Sequence, residues 1–210
     1  MSSMTLSPVD LGKDAEFHEL QRQRVLCGWA YETTALQKWQ QKQAEGLKQL
    51  FWILIDEEDS EGDSKTTRNT IKAGHVSLDA YTDPPDEELA RADKSVLTVQ
   101  AFFILEQHRG NRLGRRVMTL LEEMARSERY GHPACGTLAL TTLSKRYIYD
   151  EGPDGVGVWE KVVLDRPAFS SQEWYESMGY VGWKEEPRYR TETLEGGEVL
   201  LSAVFMRKAL

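Results

Sequence analysis

The sequence predicts an α/β fold, and three observations carry that prediction. Leu50-Phe-Trp-Ile-Leu-Ile55 and Val96 to Leu105 are apolar runs of strand length, too short to span a membrane. Val117, Leu120, Leu121 and Met124 recur at helical spacing, giving a stripe that can lie on a sheet. Between the second strand and that helix stands one sharp polar turn, Arg109-Gly110-Asn111-Arg112-Leu113-Gly114, so strand, loop and helix follow without a break.

Taken in order, Thr5 to Leu11 reads as a first edge strand, with Pro8 tolerated at the edge. Asp14 can cap a helix reaching about Trp29, on a mixed stripe of Phe17, Leu20, Arg24 and Cys27, or Val25 and Trp29. Thr33 or Thr34 can cap a second helix to about Lys48, with Leu36, Trp39, Gln43 and Leu47 on one side. Ala73 to Tyr81 alternates well enough to be the hairpin partner of Leu50 to Ile55, and the polar stretch Asp56 to Asn69 is then a mobile connecting loop. Thr82 to Lys94, acidic and carrying Pro84-Pro85, leads into the central strand, which stops at the polar run Glu106 to Arg109. After the motif helix, Gly131-His-Pro133 breaks the chain and Gly136 to Leu143 forms the next strand. Glu173 to Tyr180 reads as a helix closed by a left-handed Gly179, and Tyr180 to Tyr189 pairs with Glu198 to Arg207 through Glu195-Gly196-Gly197. Neither polar link differs enough from its surroundings to divide the chain, so 1–210 is expected to be a single domain with no internal repeat.

Composition narrows the partners. A net charge of -8 and a pI near 5.2 argue against nucleic acid, whose phosphates require a clustered positive field. Cys27 and Cys135 stand far apart in no metal-ligating pattern, so buried thiols are expected and neither a disulfide framework nor a metal site. The N-terminal Met1-Ser-Ser-Met-Thr-Leu-Ser-Pro has no apolar signal core and no stretch reaches membrane-span length, which points to the cytosol or nucleus and no membrane partner.

The loop carries the chemistry. A helix start leaves backbone N–H groups unpaired at the positive end of the helix dipole, and glycines let an anion approach them, so a phosphate or pyrophosphate fits there. A dinucleotide fingerprint would need a third glycine, and a triphosphate loop a following Gly-Lys-Ser/Thr; both are absent. The stretch resembles motif A of the GNAT superfamily of acetyl-CoA-dependent N-acetyltransferases, Gln/Arg-x-x-Gly-x-Gly/Ala after a central strand. Arg109 fills the first position, Gly114 the last, and Arg112 replaces the usual middle glycine. Glu173-Trp-Tyr-Glu-Ser-Met-Gly-Tyr180 resembles motif B of the same family, with Tyr175 at the tyrosine position.

The resemblance implies a mixed, mostly antiparallel sheet splayed at its central strand, with helices on both faces. It implies acetyl-CoA as cosubstrate, held by Arg109, Gly110, Asn111, Arg112, Leu113, Gly114 and Arg115, with a backbone N–H from Phe103, Ile104 or Leu105 as oxyanion donor. Tyr175 would be the catalytic acid that protonates the departing thiolate. Trp29, Tyr31 and Trp39 would border the acceptor cleft, and Ser144 to Ser170, longer than the family's loop and rich in aromatics, would be an inserted loop or lid at its mouth. Glu106, Asp79, Asp150 and Glu151 all remain open as general base. Three functions stay in view: acetylation of a small-molecule primary amine such as a polyamine, amino sugar or xenobiotic; acetylation of a protein or peptide; and acyl-CoA binding without catalysis. A monomer or homodimer is expected.

Overall fold

The computed structural model describes residues 3–58 and 68–210, which form two compact units, Met1–Leu138 with Leu210, and Ala139–Ala209. The fold is α/β with seven strands among the described residues, and the strand pairings β1·β2, β2·β3, β3·β4 and β6·β7 are antiparallel.

In the first unit, β1 (Met4–Pro8), β2 (Lys48–Glu58), β3 (Arg68–Asp79) and β4 (Val96–Ile104) lie side by side in chain order. Leu50, Phe51, Trp52 and Ile53 are all buried, which is why β2 reads as a continuous apolar run rather than an alternating one. The middle of the expected Asp56 to Asn69 loop lies outside the described residues. β1 stops at Pro8, short of the expected Leu11. The Val9 amide still donates to the Leu50 carbonyl, and then the Asp10 side chain accepts from the Gly12 amide and turns the chain.

α1 (Asp14–Cys27) begins on Lys13, so Asp14 sits in the first turn instead of capping it, and Gly28 closes the helix in the left-handed region. α2 (Thr33–Ala44) likewise begins on Glu32, with both threonines already inside the first turn. It ends well before Lys48. Gly46, at φ 73°, lets the Leu47 amide reach the Lys42 carbonyl and the Gly46 amide reach Gln43, a Schellman stop that frees Lys48 to start β2. Leu20, Leu36, Leu50 and Trp52 form the core beneath these helices, with Phe17, Trp39 and Ala101 packed against it. Val25, Leu26 and Trp29 are exposed, and what α1 buries beside Leu20 is Gln23 and Arg24. α3 (Leu113–Ala125) buries the predicted stripe through Val117, Leu121 and Met124.

In the second unit, β5 (Thr137–Leu143), β7 (Glu198–Ala209) and β6 (Val181–Glu192) are neighbours in that order, with β6 and β7 paired from Val181↔Arg207 to Glu192↔Glu198. The Ser144 to Ser170 stretch, expected as a loop or lid, is folded. It contains α4 (Arg146–Tyr149) and a short 3₁₀ turn at Val156–Glu160, and Tyr147, Val158 and Val162 pack with Leu201 of β7. The Ser202 amide donates to the Tyr147 hydroxyl, and the Trp159 indole donates to the Tyr147 carbonyl. Tyr147 and Trp159 therefore belong to the core, while Tyr149 and Phe169 are exposed. Val162 also forms an isolated bridge to Thr193. α5 (Ser171–Glu176) follows, capped by Ser170, whose hydroxyl accepts from the Glu173 amide at 3.2 Å.

Candidate active site

Motif A is assembled at the end of β4. Ala101 has φ 49°, and the β3–β4 register shifts between His75 and Ser77, which marks a bulge in the central strand. Beyond the bulge the two strands run unusually close. A Cβ built on Gly74 would lie 2.2 Å from the Phe103 carbonyl oxygen, so only glycine fits opposite this part of β4. Gly74 was not singled out by the sequence, where an isolated glycine in a strand pattern is the signal for such an approach.

The ladder orients the backbone amides of Phe103, Ile104 and Leu105 differently. Leu105 donates its amide to the Ala73 carbonyl at 2.9 Å and is committed to β3, which corrects its assignment as a donor. Gly74↔Ile104 and His75↔Phe103 are the next pairs. Because bonded and non-bonded pairs alternate in an antiparallel ladder, Phe103 also faces β3, while Ile104 turns its N–H and C=O to the opposite edge. On that edge the Ile104 carbonyl accepts from Arg109 Nε at 3.0 Å. The Arg109 guanidinium lies 5.9 Å from the Phe103 ring centroid, so the first arginine of the motif braces the end of the strand.

After a 3₁₀ turn at Glu106–His108 come three successive left-handed residues, Gly110 at φ 102°, Asn111 at 45° and Arg112 at 57°. Arg112 thus occupies a conformation that glycine adopts freely and other residues adopt at a cost of about 1–2 kcal/mol. It is also the residue from which α3 starts, without a side-chain cap and with no acidic residue in the first turn. Arg109 and Arg112 are exposed and Arg115 and Arg116 half-buried around this helix start, where they add to the dipole. Leu113 is a core side chain, so its contribution to a ligand is confined to its backbone.

Motif B belongs to the second unit. The Tyr180 amide donates to the Tyr175 carbonyl and the Gly179 amide to Glu176, with Gly179 at φ 89°, a Schellman stop whose accompanying apolar contact is the Tyr175–Tyr180 ring pair at 5.8 Å. Burial, with the nearby Tyr189 phenol adding to it, raises the Tyr175 pKa above the ordinary tyrosine value, so the hydroxyl keeps its proton at neutral pH. Tyr189 hydrogen-bonds Thr141, whereas among the described residues no hydrogen bond uses the Tyr175 hydroxyl. A cavity of about 610 Å³ also opens among Tyr149, Glu151, Glu160, Lys161 and Arg166. Two acids and two cations line it, the cations donating to the Pro153 and Ile148 carbonyls, so no single sign of charge is concentrated there.

The candidate bases separate clearly. Asp79 is buried and accepts from Lys48 Nζ at 2.7 Å, whereas Glu106, Asp150 and Glu151 are exposed. Trp29 and Tyr31 are exposed, while Trp39 is half-buried with Lys48 Nζ at 4.3 Å and the Arg24 guanidinium at 5.3 Å from its ring.

No family model matches the chain, and no curated protein sequence does. Solved structures do. The aminoglycoside 6'-N-acetyltransferase from Enterococcus faecium is 14% identical over 98% of this chain and 96% of its own, with a TM-score of 0.56. Arabidopsis thaliana NAA60 in complex with acetyl-CoA is 10% identical over 99% of each chain, with a TM-score of 0.55. A GNAT-family protein from Desulfovibrio desulfuricans is 11% identical over 99% of each chain, with a TM-score of 0.52. The chain therefore has the fold of the GNAT acetyltransferases, over nearly its whole length.

Proposed function

We propose that this chain transfers an acetyl group from acetyl-CoA to the primary amine of a small molecule. The observation that carries the reading is the left-handed run Gly110–Asn111–Arg112 in front of an uncapped α3, ringed by arginines, on a fold shared with a protein solved with acetyl-CoA. Backbone N–H groups at such a helix start fit a pyrophosphate. The outward amide of Ile104 can polarise a thioester carbonyl, and the protonated Tyr175 hydroxyl can donate to a leaving thiolate. Attack requires the acceptor amine in its neutral form.

Calorimetry with acetyl-CoA tests the first half, with an affinity of roughly 1 μM to 1 mM expected for an enzyme substrate. No heat from folded protein, together with an unchanged melting temperature at millimolar acetyl-CoA, overturns it. Gly114→Val, at the helix start, should weaken that binding without unfolding the protein. Release of free coenzyme A against a panel of amines and peptides tests the second half. Turnover with peptides alone would replace the small-molecule acceptor by a protein one.

A further inference from the structure

Arg24 places a guanidinium inside the first unit at 5% exposure, yet it makes no ion pair with any described carboxylate. Its surroundings are fixed by a chain of hydrogen bonds. The Gln23 amide nitrogen donates to Glu19 and to the Lys72 carbonyl, so its oxygen faces His75 and accepts from the ring's Nδ1 at 3.0 Å. That leaves the His75 Nε2 lone pair to accept from Arg24 Nη1 at 3.4 Å. The imidazole is neutral there, held down to about 3 by burial, with Arg24 and Lys48 adding to the effect. Lys48 and Asp79 form a buried pair at 2.7 Å that is neutral as a unit. Glu32, exposed at the start of α2, attracts Arg24 without forming a hydrogen bond to it. The cluster therefore carries one uncompensated positive charge, and Arg24 Nε is buried with no partner among the described residues. A charge held away from water without a counterion is costly, and folded proteins seldom retain one without a use.

The remaining donor edge says what would compensate it. With Nη1 engaged by His75 and the guanidinium carbon 5.3 Å from the Trp39 ring centroid, the Nε edge is left without a hydrogen-bond partner, and a guanidinium takes a carboxylate side-on through that edge as a two-point contact. The site also lies next to the acyl-transfer strand. The His75 ring that touches Arg24 packs 5.6 Å from the ring of Phe103, the residue before the outward amide of Ile104. On the other side, α1 ends three residues beyond Arg24, and the connection to α2 exposes Trp29 and Tyr31. We propose that Arg24 is a specificity residue of the acceptor site, binding the carboxylate of an acceptor that also carries the amine, so that the preferred substrate is amino-acid-like and not a polyamine. This rests on the acetyltransferase reading.

Matched pairs test it: glycine, β-alanine and 4-aminobutyrate, each against its own amide, on the full chain and on Arg24→Gln. Two readouts are taken, kcat/KM for acetyl transfer and the shift in melting temperature at millimolar acceptor. The wild type should favour one of the acids over its amide by about ten- to hundredfold, the range for a charge-assisted contact, and Arg24→Gln should erase that preference while its heat of acetyl-CoA binding is unchanged. A preference that survives in Arg24→Gln, or melting shifts no larger for the acids than for the amides, overturns the proposal. A chloride-induced shift equal to that of every acid also overturns it, since the charge would then hold any small anion. Loss of acetyl-CoA heat in the wild type would instead overturn the acetyltransferase reading, and the melting shifts still decide the carboxylate site. Arg24→Met gives an independent check. It keeps the stem and removes the lone charge, so without ligand it should melt higher than the wild type; a melting point several degrees lower would make Arg24 a structural residue and end the proposal.

Discussion

Two helix ends in this molecule use left-handed backbone in opposite ways. At the end of α5 the left-handed residue is Gly179, and a Cβ there would find Lys208 Cε at 3.7 Å, an ordinary contact. The stop is conformationally free, fully hydrogen-bonded and sealed by the Tyr175–Tyr180 ring pair. At the start of α3 the left-handed run includes Asn111 and Arg112, side-chain caps are absent, and the flanking side chains are cationic. The first end is arranged for stability. The second leaves donors open and holds non-glycine residues in a sparsely populated conformation, which folded proteins tolerate where a site requires it.

The sharpest way to separate stability from function at the α5 end is Tyr175→Phe. The ring stays on Tyr180 and the Schellman bonds are untouched, so melting should be unchanged, while turnover should fall roughly a hundredfold to ten-thousandfold, the scale of general acid catalysis. Full turnover with chemistry shown to be rate-limiting would make the tyrosine purely structural. The pH profile refines the same point. Because the Tyr175 pKa is raised, its protonated form persists to higher pH than in an ordinary tyrosine, so activity should climb as the amine loses its proton and show no fall from this group below about pH 10. An alkaline limb near pH 8 that vanishes in Tyr175→Phe would contradict the raised value.

Smaller effects come from the backbone itself. Gly179→Ala meets no clash, so its cost is the left-handed conformation alone, about 1–2 kcal/mol in denaturant unfolding. If that variant is as stable as the parent, the conformational contrast between the two helix ends is absent. Arg112→Gly runs the other way. It should gain up to about 1 kcal/mol of stability, less what the freer unfolded chain takes back, and should weaken acetyl-CoA binding by roughly tenfold through the lost cation. Stronger binding in Arg112→Gly would show that the side chain obstructs the loop.

Local signals made much of this legible in the chain itself. The apolar run of β2, the stripe of α3 and the glycine closing α5 each depend on residues within a turn or a strand of one another, so periodicity and turn chemistry reach them. The resemblance to motif A set Arg112 where that motif has its middle glycine, and its φ of 57° is one that glycine adopts freely. What the sequence misplaced was decided by nonlocal competition. The second helix was read through Gly46 because Leu47 kept its stripe, yet Lys48 is drawn into β2 by its pairing with Asp79, 31 residues away. Within 144–170 the sequence did not tell Tyr147, which packs against Leu201 of β7, from the exposed Tyr149 and Phe169. Arg24 fell on the apolar stripe of α1, so its burial was foreseeable. Its lack of a counterion was not, because whether a charge finds a partner is fixed by which strands and helices meet around it, and only the folded arrangement of His75, Gln23, Lys48 and Asp79 decided that.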